Sequence, residues 1–196
     1  MKQHNWLSVF PHQLSWFLDN WLRRLIVSPN TLTDCLALSN SSRVLELGPG
    51  PGYFSVALAS QLGNGWLELF DLQPEMIAKA KRKLERHGFH NIGYTVGDAN
   101  EELPFPDCDF DVALLCSVLG EVTDQAQCLK SLYRVLRPEG TLAFHESFPD
   151  PDFFRLKTLQ RLVKAHGFRF HRRWGRPWNY IAVFKKANLP ESESAA

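Results

Sequence analysis

Glu46, Gly48, Pro49, Gly50, Gly52, Asp71 and Asp98 are the residues whose types and spacing carry chemistry in this chain. The run Val44-Leu45-Glu46-Leu47-Gly48-Pro49-Gly50-Pro51-Gly52-Tyr53-Phe54 sets glycines at alternate positions after a short apolar stretch. Glycine permits dihedrals closed to other residues and lets a backbone approach a ligand closely. A loop of that kind between a strand and a helix is where open α/β sheets hold ligands. It is not a nicotinamide-dinucleotide fingerprint, because counting GxGxxG from Gly48 puts Tyr53 at the third glycine. The plain alternative is a turn that only reverses the chain, which leaves Glu46 and the acids downstream without a task. Asp71 closes the next apolar run, about 20 residues beyond the loop, where a carboxylate can take both hydroxyls of a ribose. An N-cap for the helix that follows is the alternative, and the two roles are compatible. Gly97-Asp98-Ala99-Asn100 comes after the third run, where a side-chain oxygen can accept from the amino group of adenine and the Ala99 N–H can serve a ring nitrogen.

The elements that must position these residues alternate. An opening helix is expected from the spacing of Leu14, Phe17, Leu18, Trp21, Leu22 and Leu25, and a second over about Thr31–Leu38. Strands are expected at Arg43–Leu47, Gly65–Phe70, Ile92–Val96, Phe110–Leu115 and Thr141–Glu146, with helices at about Tyr53–Leu62, Pro74–His87, Asp124–Leu136 and Phe153–His166. Arg169–Trp174 and Tyr180–Lys185 flank a Gly-Arg-Pro-Trp-Asn turn and read as a hairpin. Such alternation predicts an α/β, doubly wound, mostly parallel seven-stranded sheet with helices on both faces and a C-terminal antiparallel hairpin. The expected division is a helical extension over 1–40, the sheet domain over 41–187 and a flexible tail over 188–196.

With these residues in place, the chain resembles the class I S-adenosylmethionine-dependent methyltransferases from about Arg43 to Lys186. The glycine loop resembles that family's first motif, Asp71-Leu72-Gln73-Pro74-Glu75-Met76 its second, and Gly97-Asp98-Ala99 with Leu103-Pro104-Phe105 its third. Phe110-Asp111-Val112 and Arg134-Val135-Leu136-Arg137-Pro138-Glu139-Gly140 are similar to its later strand signatures. The resemblance implies a Rossmann-like methyltransferase fold. It also implies S-adenosylmethionine as cofactor, held by Glu46, Gly48, Pro49, Gly50, Gly52, Asp71, Leu72, Met76, Asp98 and Ala99, with Cys116 and Ser117 beside the methyl group. The branch it resembles acts on small molecules. The Asn-Pro-Pro-Tyr motif of amino-methylating nucleic-acid enzymes is absent, since the corresponding stretch reads Cys116-Ser117-Val118-Leu119, and so is a Pro-Cys nucleophile.

Methyl transfer from a sulfonium is a direct displacement, so the protein contributes alignment, a dry site and, for a protonated nucleophile, a base. Glu121, a turn past the fourth strand, and His145, near the end of the fifth, are the candidate bases. The alternatives are a solvated acid at a helix N-terminus and a packed strand histidine. Trp16, Tyr53 and Tyr180 are candidates for closing over the substrate, or else core or surface aromatics.

The chain has 196 residues, 44% hydrophobic and 22% charged, with a formal net charge of +1. That composition excludes disorder over most of the chain and gives no global pull toward nucleic acid. No apolar run reaches the roughly 20 residues of a membrane span. Cys35, Cys108, Cys116 and Cys128 form no CxxC pair, so no metal is expected. The segment Arg155–Lys186 holds ten Lys and Arg residues and no Asp or Glu, which leaves an anionic group, a membrane surface or RNA as candidate partners alongside a plain solvated face. The expectation is a cytoplasmic enzyme, monomer or homodimer, that methylates an O, N or C nucleophile of a small anionic or hydrophobic molecule. An RNA methyltransferase and a non-catalytic cofactor-binding module are the alternatives.

Overall fold

The computed structural model describes residues 28–187. The expected opening helix with Trp16, and the tail 188–196, lie outside the described residues.

The strands are β1 (Arg43–Leu47), β2 (Trp66–Asp71), β3 (Ile92–Val96), β4 (Phe110–Cys116), β5 (Leu136–Ser147), β6 (Phe168–Arg176) and β7 (Asn179–Lys186). The helices are α1 (Pro29–Leu36), α2 (Ser55–Gln61), α3 (Pro74–Arg86), α4 (Gln125–Val135) and α5 (Leu156–Lys164). The strands form one sheet in the order β3-β2-β1-β4-β5-β7-β6. The β1–β5 pairings are parallel, and β7 runs antiparallel to both β5 and β6. This is the doubly wound, mostly parallel sheet with a C-terminal hairpin that the alternation predicts. Its order reverses between β1 and β4, which opens a crevice at the carboxyl edge where ligands of such sheets bind.

Strand β1 and its neighbour β4 are covered on both faces, which is why RVLEL and FDVALLC are almost unbroken apolar runs. On one face Leu45, Ala113, Leu115, Leu142 and Phe144 pack with Leu129, Leu132 and Val135 of α4 and Leu159 and Val163 of α5. On the other, Val44, Leu67, Leu69, Val112 and Leu114 pack with Leu58 of α2, Ala80 and Leu84 of α3, and Leu32 and Leu36 of α1. Helix α1 therefore belongs to the same core as the sheet.

Two elements differ from expectation. The segment expected as a helix from Phe153 is a loop until Arg155, and α5 begins at Leu156. The cause is tertiary: the Phe154 N–H donates to Glu146 Oε2 (2.9 Å) and its carbonyl accepts from the Tyr180 hydroxyl (2.7 Å), which pins the backbone on the sheet. Arg137-Pro138-Glu139-Gly140 does stop α4, but it then runs on within β5. Leu136 pairs with Phe110 and Thr141 with Val112, so the four residues bulge out of the ladder, with Glu139 at φ 59°.

Candidate active site

The site forms where β1, β2, β3 and β4 end. Gly48 donates its N–H to the Phe70 carbonyl (2.8 Å), which fastens the glycine loop to the end of β2. Gly48 sits at φ +69°, and a Cβ there would lie 2.4 Å from Val118 Cγ2. The loop after β1 therefore touches the turn after β4, and the contact requires glycine on geometric and steric grounds alike. At Gly52 (φ +79°) a Cβ would lie 3.2 Å from Ala80 Cα, so the far end of the loop rests on α3. Glu46 is buried beneath the loop and accepts from Ser55 Oγ at 2.6 Å, which ties the strand to the first turn of α2.

Asp71 stands at the tip of β2, 8% exposed. Its Oδ2 accepts from the Gly50 N–H (3.2 Å) and its Oδ1 from the Gln73 N–H (2.9 Å). Gln73, not Asp71, holds the N-cap position of α3, so the capping reading of Asp71 does not survive. A carboxylate offers about four acceptor positions. The two backbone donors orient it and leave capacity for two more hydrogen bonds. Burial pushes its pKa up from 3.8 to about 6, against the opposing pull of those two backbone donors.

After β3, Asp98 Oδ1 accepts from both the N–H (2.9 Å) and the side-chain amide (2.7 Å) of Asn100. Asn100 Oδ1 in turn accepts from Thr123 Oγ1 (2.8 Å) and the Asp124 N–H (2.7 Å), and Asp124 caps α4 through the Gln127 N–H. Asn100 thus cross-links the loop after β3 to the segment before α4. Its signal in the sequence was only its place two residues past Asp98. Leu72 and Ala99 are part-buried on the same edge, and Met76 is buried in the first turn of α3.

The turn after β4 completes the edge. Cys116 is buried, and Ser117 takes φ 54° with its N–H donating to the His145 carbonyl (2.9 Å). Glu121 closes this turn, its N–H bonded to the Val118 carbonyl (3.0 Å), part-buried and four residues ahead of α4. His145 is 3% exposed, packed edge-on to Phe54 (5.8 Å between ring centres), with Nε2 3.1 Å from Asn179 Oδ1. Asn179, the first residue of β7, was not singled out in the sequence. Tyr53 is part-buried against Phe54. Tyr180 contributes to the lining of a cavity beyond the end of β5, but its side chain is held in place rather than free to close over a ligand. It is 1% exposed, its ring packs on Phe153, and its hydroxyl is spent on the Phe154 carbonyl. Period-two alternation along β7 turns it into the core.

A crevice at the carboxyl edge of a doubly wound sheet, with a glycine loop and an oriented acidic side chain at the end of the second strand, defines a nucleoside-binding α/β domain. Residues 44–140 match the methyltransferase domain family. The chain is 36% identical over 137 residues to the ubiquinone/menaquinone biosynthesis C-methyltransferase UbiE of Proteus mirabilis, covering 69% of this chain and 53% of that protein. To the protein of the same name from Vibrio parahaemolyticus it is 35% identical over 137 residues, covering 69% and 51%. The chain thus spans about half the length of the curated relatives it matches. In fold it is similar to the crystal structure of an S-adenosylmethionine-dependent methyltransferase from Aquifex aeolicus, with a TM-score of 0.82, 22% identity and coverage of 90% of this chain and 98% of that one. The chain belongs to the class I S-adenosylmethionine-dependent methyltransferases, whose methyl donor is S-adenosylmethionine. The residues present fit that cofactor. The Asp71 carboxylate has acceptor capacity for a ribose diol, and at Gly48 the loop closes on Val118 with no room for a side chain.

Proposed function

We propose that this chain transfers a methyl group from S-adenosylmethionine to a small-molecule acceptor by direct displacement, and that the acceptor atom is a ring carbon of a quinone-pathway compound. One observation carries the catalytic part: the glycine loop, Asp71 and the Cys116–Glu121 turn converge on one sheet edge, joined by the Gly48–Val118 contact. The ring-carbon acceptor is supported by the C-methyltransferase names of the relatives.

When bound, the cofactor supplies an electrophilic sulfonium methyl whose loss leaves a neutral thioether. The chain's own part is then positional. Asp71 holds the ribose through charge-assisted hydrogen bonds, and Asp98, fixed by Asn100, with the Ala99 N–H reads the adenine. Glu46, Gly48, Pro49, Gly50, Gly52, Leu72 and Met76 shape the rest of the cofactor cleft, and Cys116 and Ser117 flank the reacting end. A ring carbon becomes nucleophilic when a neighbouring phenol gives up its proton, which a positioned base accelerates. Glu121, part-buried on the turn itself, and His145, held between Phe54 and Asn179, are the groups proposed to take that proton.

The test is to incubate the full chain with methyl-labelled S-adenosylmethionine and a 1,4-naphthoquinol unsubstituted at one quinoid carbon, and to locate the label by mass spectrometry. Label on the ring carbon supports the proposal. Transfer to an oxygen corrects the acceptor atom. No transfer to this quinol or to any small molecule of a cell extract, by protein that binds S-adenosylhomocysteine, overturns the catalytic reading.

A further inference from the structure

A second feature shares this sheet edge. A cavity of about 580 Å³ opens beyond the end of β5, between α1 and the tip of the β6–β7 hairpin. Its walls include Trp174, Trp178 and Phe148, with Ser147 and Asn179 at the strand ends and Arg176 at the hairpin tip. The volume lies within the usual range of small-molecule pockets, roughly 300–1,000 Å³.

The cavity is coupled to the methyl-transfer edge by two hydrogen bonds. Its wall residue Asn179 bonds His145 through Oδ1 and Nε2 (3.1 Å), and the His145 carbonyl accepts from the Ser117 N–H (2.9 Å). His145 also shares its sheet face with Asp71 and Cys116, on the side covered by α1 and α2.

The lining specifies a chemistry. Trp178 is 53% exposed and Phe148 64% exposed, so flat apolar surface stands open at the mouth with nothing covering it among the described residues. Arg176 lies over the Trp178 ring at 5.6 Å and Arg172 over Trp174 at 5.1 Å, so each indole carries a guanidinium beside it. Among the described residues no carboxylate lines the cavity, and the segment Arg155–Lys186 contains none. Flat walls accept a flat ring, and a guanidinium donates hydrogen bonds to a carboxylate or phenolate in its plane.

We propose that this cavity is the acceptor pocket and that it selects a planar aromatic anion, with Arg176 as the specificity residue for the negative group and Trp174 and Trp178 as the stacking walls. The inference rests on the methyltransferase reading for the pocket's role and adds to it the charge and shape of the acceptor. Asn179, fixed by His145, is the polar contact on the side toward the methyl group.

The experiment is calorimetric titration of the full chain with three probes: 1-hydroxy-2-naphthoate (ring and anion), 1-naphthol (ring alone) and cyclohexanecarboxylate (anion alone). S-adenosylhomocysteine is titrated in parallel. The hydroxynaphthoate should bind at least tenfold more tightly than either control. Arg176→Gln should remove that advantage, leaving 1-naphthol and S-adenosylhomocysteine binding unchanged. Trp178→Ala should weaken both ring compounds together. The proposal is overturned if S-adenosylhomocysteine binds and the hydroxynaphthoate does not, or if Arg176→Gln binds it as wild type does. Hydroxynaphthoate binding that depends on Arg176, in protein that ignores S-adenosylhomocysteine, would keep the pocket and overturn the methyltransferase reading instead.

Discussion

Asp71→Asn separates the cofactor role of this side chain from any role in folding. In the wild type both carboxylate oxygens are engaged by backbone donors, Gly50 and Gln73, and the remaining acceptor capacity is the part proposed to serve the ribose. The amide keeps one acceptor oxygen and loses the charge. A hydrogen bond to a charged partner is worth about 1.5–3 kcal/mol against about 0.5–1.5 for a neutral one, so two ribose contacts lose about 2–3 kcal/mol together. That corresponds to a roughly 30- to 150-fold weaker dissociation constant for S-adenosylhomocysteine. Stability moves the other way. Burial lifts the Asp71 pKa from 3.8 to about 6, so its stabilising contribution is present below 3.8 and lost as the pH rises through about 6. At pH 8 the ionised group costs the cofactor-free fold about 3 kcal/mol. The amide escapes this cost but leaves one backbone N–H poorly paired. The apo variant should therefore melt no lower than wild type at pH 8. Calorimetric titration and thermal melting of both proteins across pH 5–9 provide the assay. Wild-type affinity should be full above about 6 and fall toward tenfold per pH unit below it, because the cofactor takes the ionised form; the variant should lack this break. An Asp71→Asn protein that binds within threefold of wild type at pH 8 refutes the ribose assignment.

Three further outcomes follow from the packing. Gly48→Ala should lose cofactor binding and stability, since its Cβ would lie 2.4 Å from Val118 Cγ2 at φ +69°. The double variant with Val118→Ala should recover about 1 kcal/mol of the loss, a coupling read from a double-mutant cycle in denaturant. Glu146→Gln should leave stability unchanged at pH 4 and raise it by a few kcal/mol at pH 9. Burial lifts the carboxyl from 4.5 to about 8, so its contribution is intact below 4.5 and lost as the pH climbs through about 8, and the amide still accepts from the Phe154 N–H. Melting curves at the two pH values decide it, and equal curves at pH 9 would count against it. Leu132→Ala, at a fully buried position of α4, should cost about 2–5 kcal/mol by urea titration.

The parts legible in the sequence are those whose cause is local. The glycines of the loop, Asp71 and the apolar runs of β1 and β4 announce themselves because dihedral freedom, strand ends and two-sided burial leave marks on adjacent residues. What was missed depends on residues far apart in the chain. The helix start at Leu156 is set by Glu146 and Tyr180 taking the backbone of Phe154, and no window around Phe154 contains both partners. Tyr180 reads as a polar-tipped aromatic free to face a ligand until its register opposite Glu146 turns it into the core. Asn100 and Asn179 gain their roles through Thr123 and His145, and the cavity brings together Ser147 and Asn179, paired across β5 and β7 from distant parts of the chain.

Cofactor binding at the carboxyl edge of the sheet underlies every proposed role of the chain. Calorimetric titration of the wild-type chain with S-adenosylhomocysteine measures it without knowledge of the acceptor. The predicted result is saturable one-to-one binding with a dissociation constant on the order of micromolar, accompanied by a rise in melting temperature. A folded chain that gives neither heat nor a shift in melting would contradict the assignment of Asp71 and the glycine loop, and the proposed methyl transfer with it.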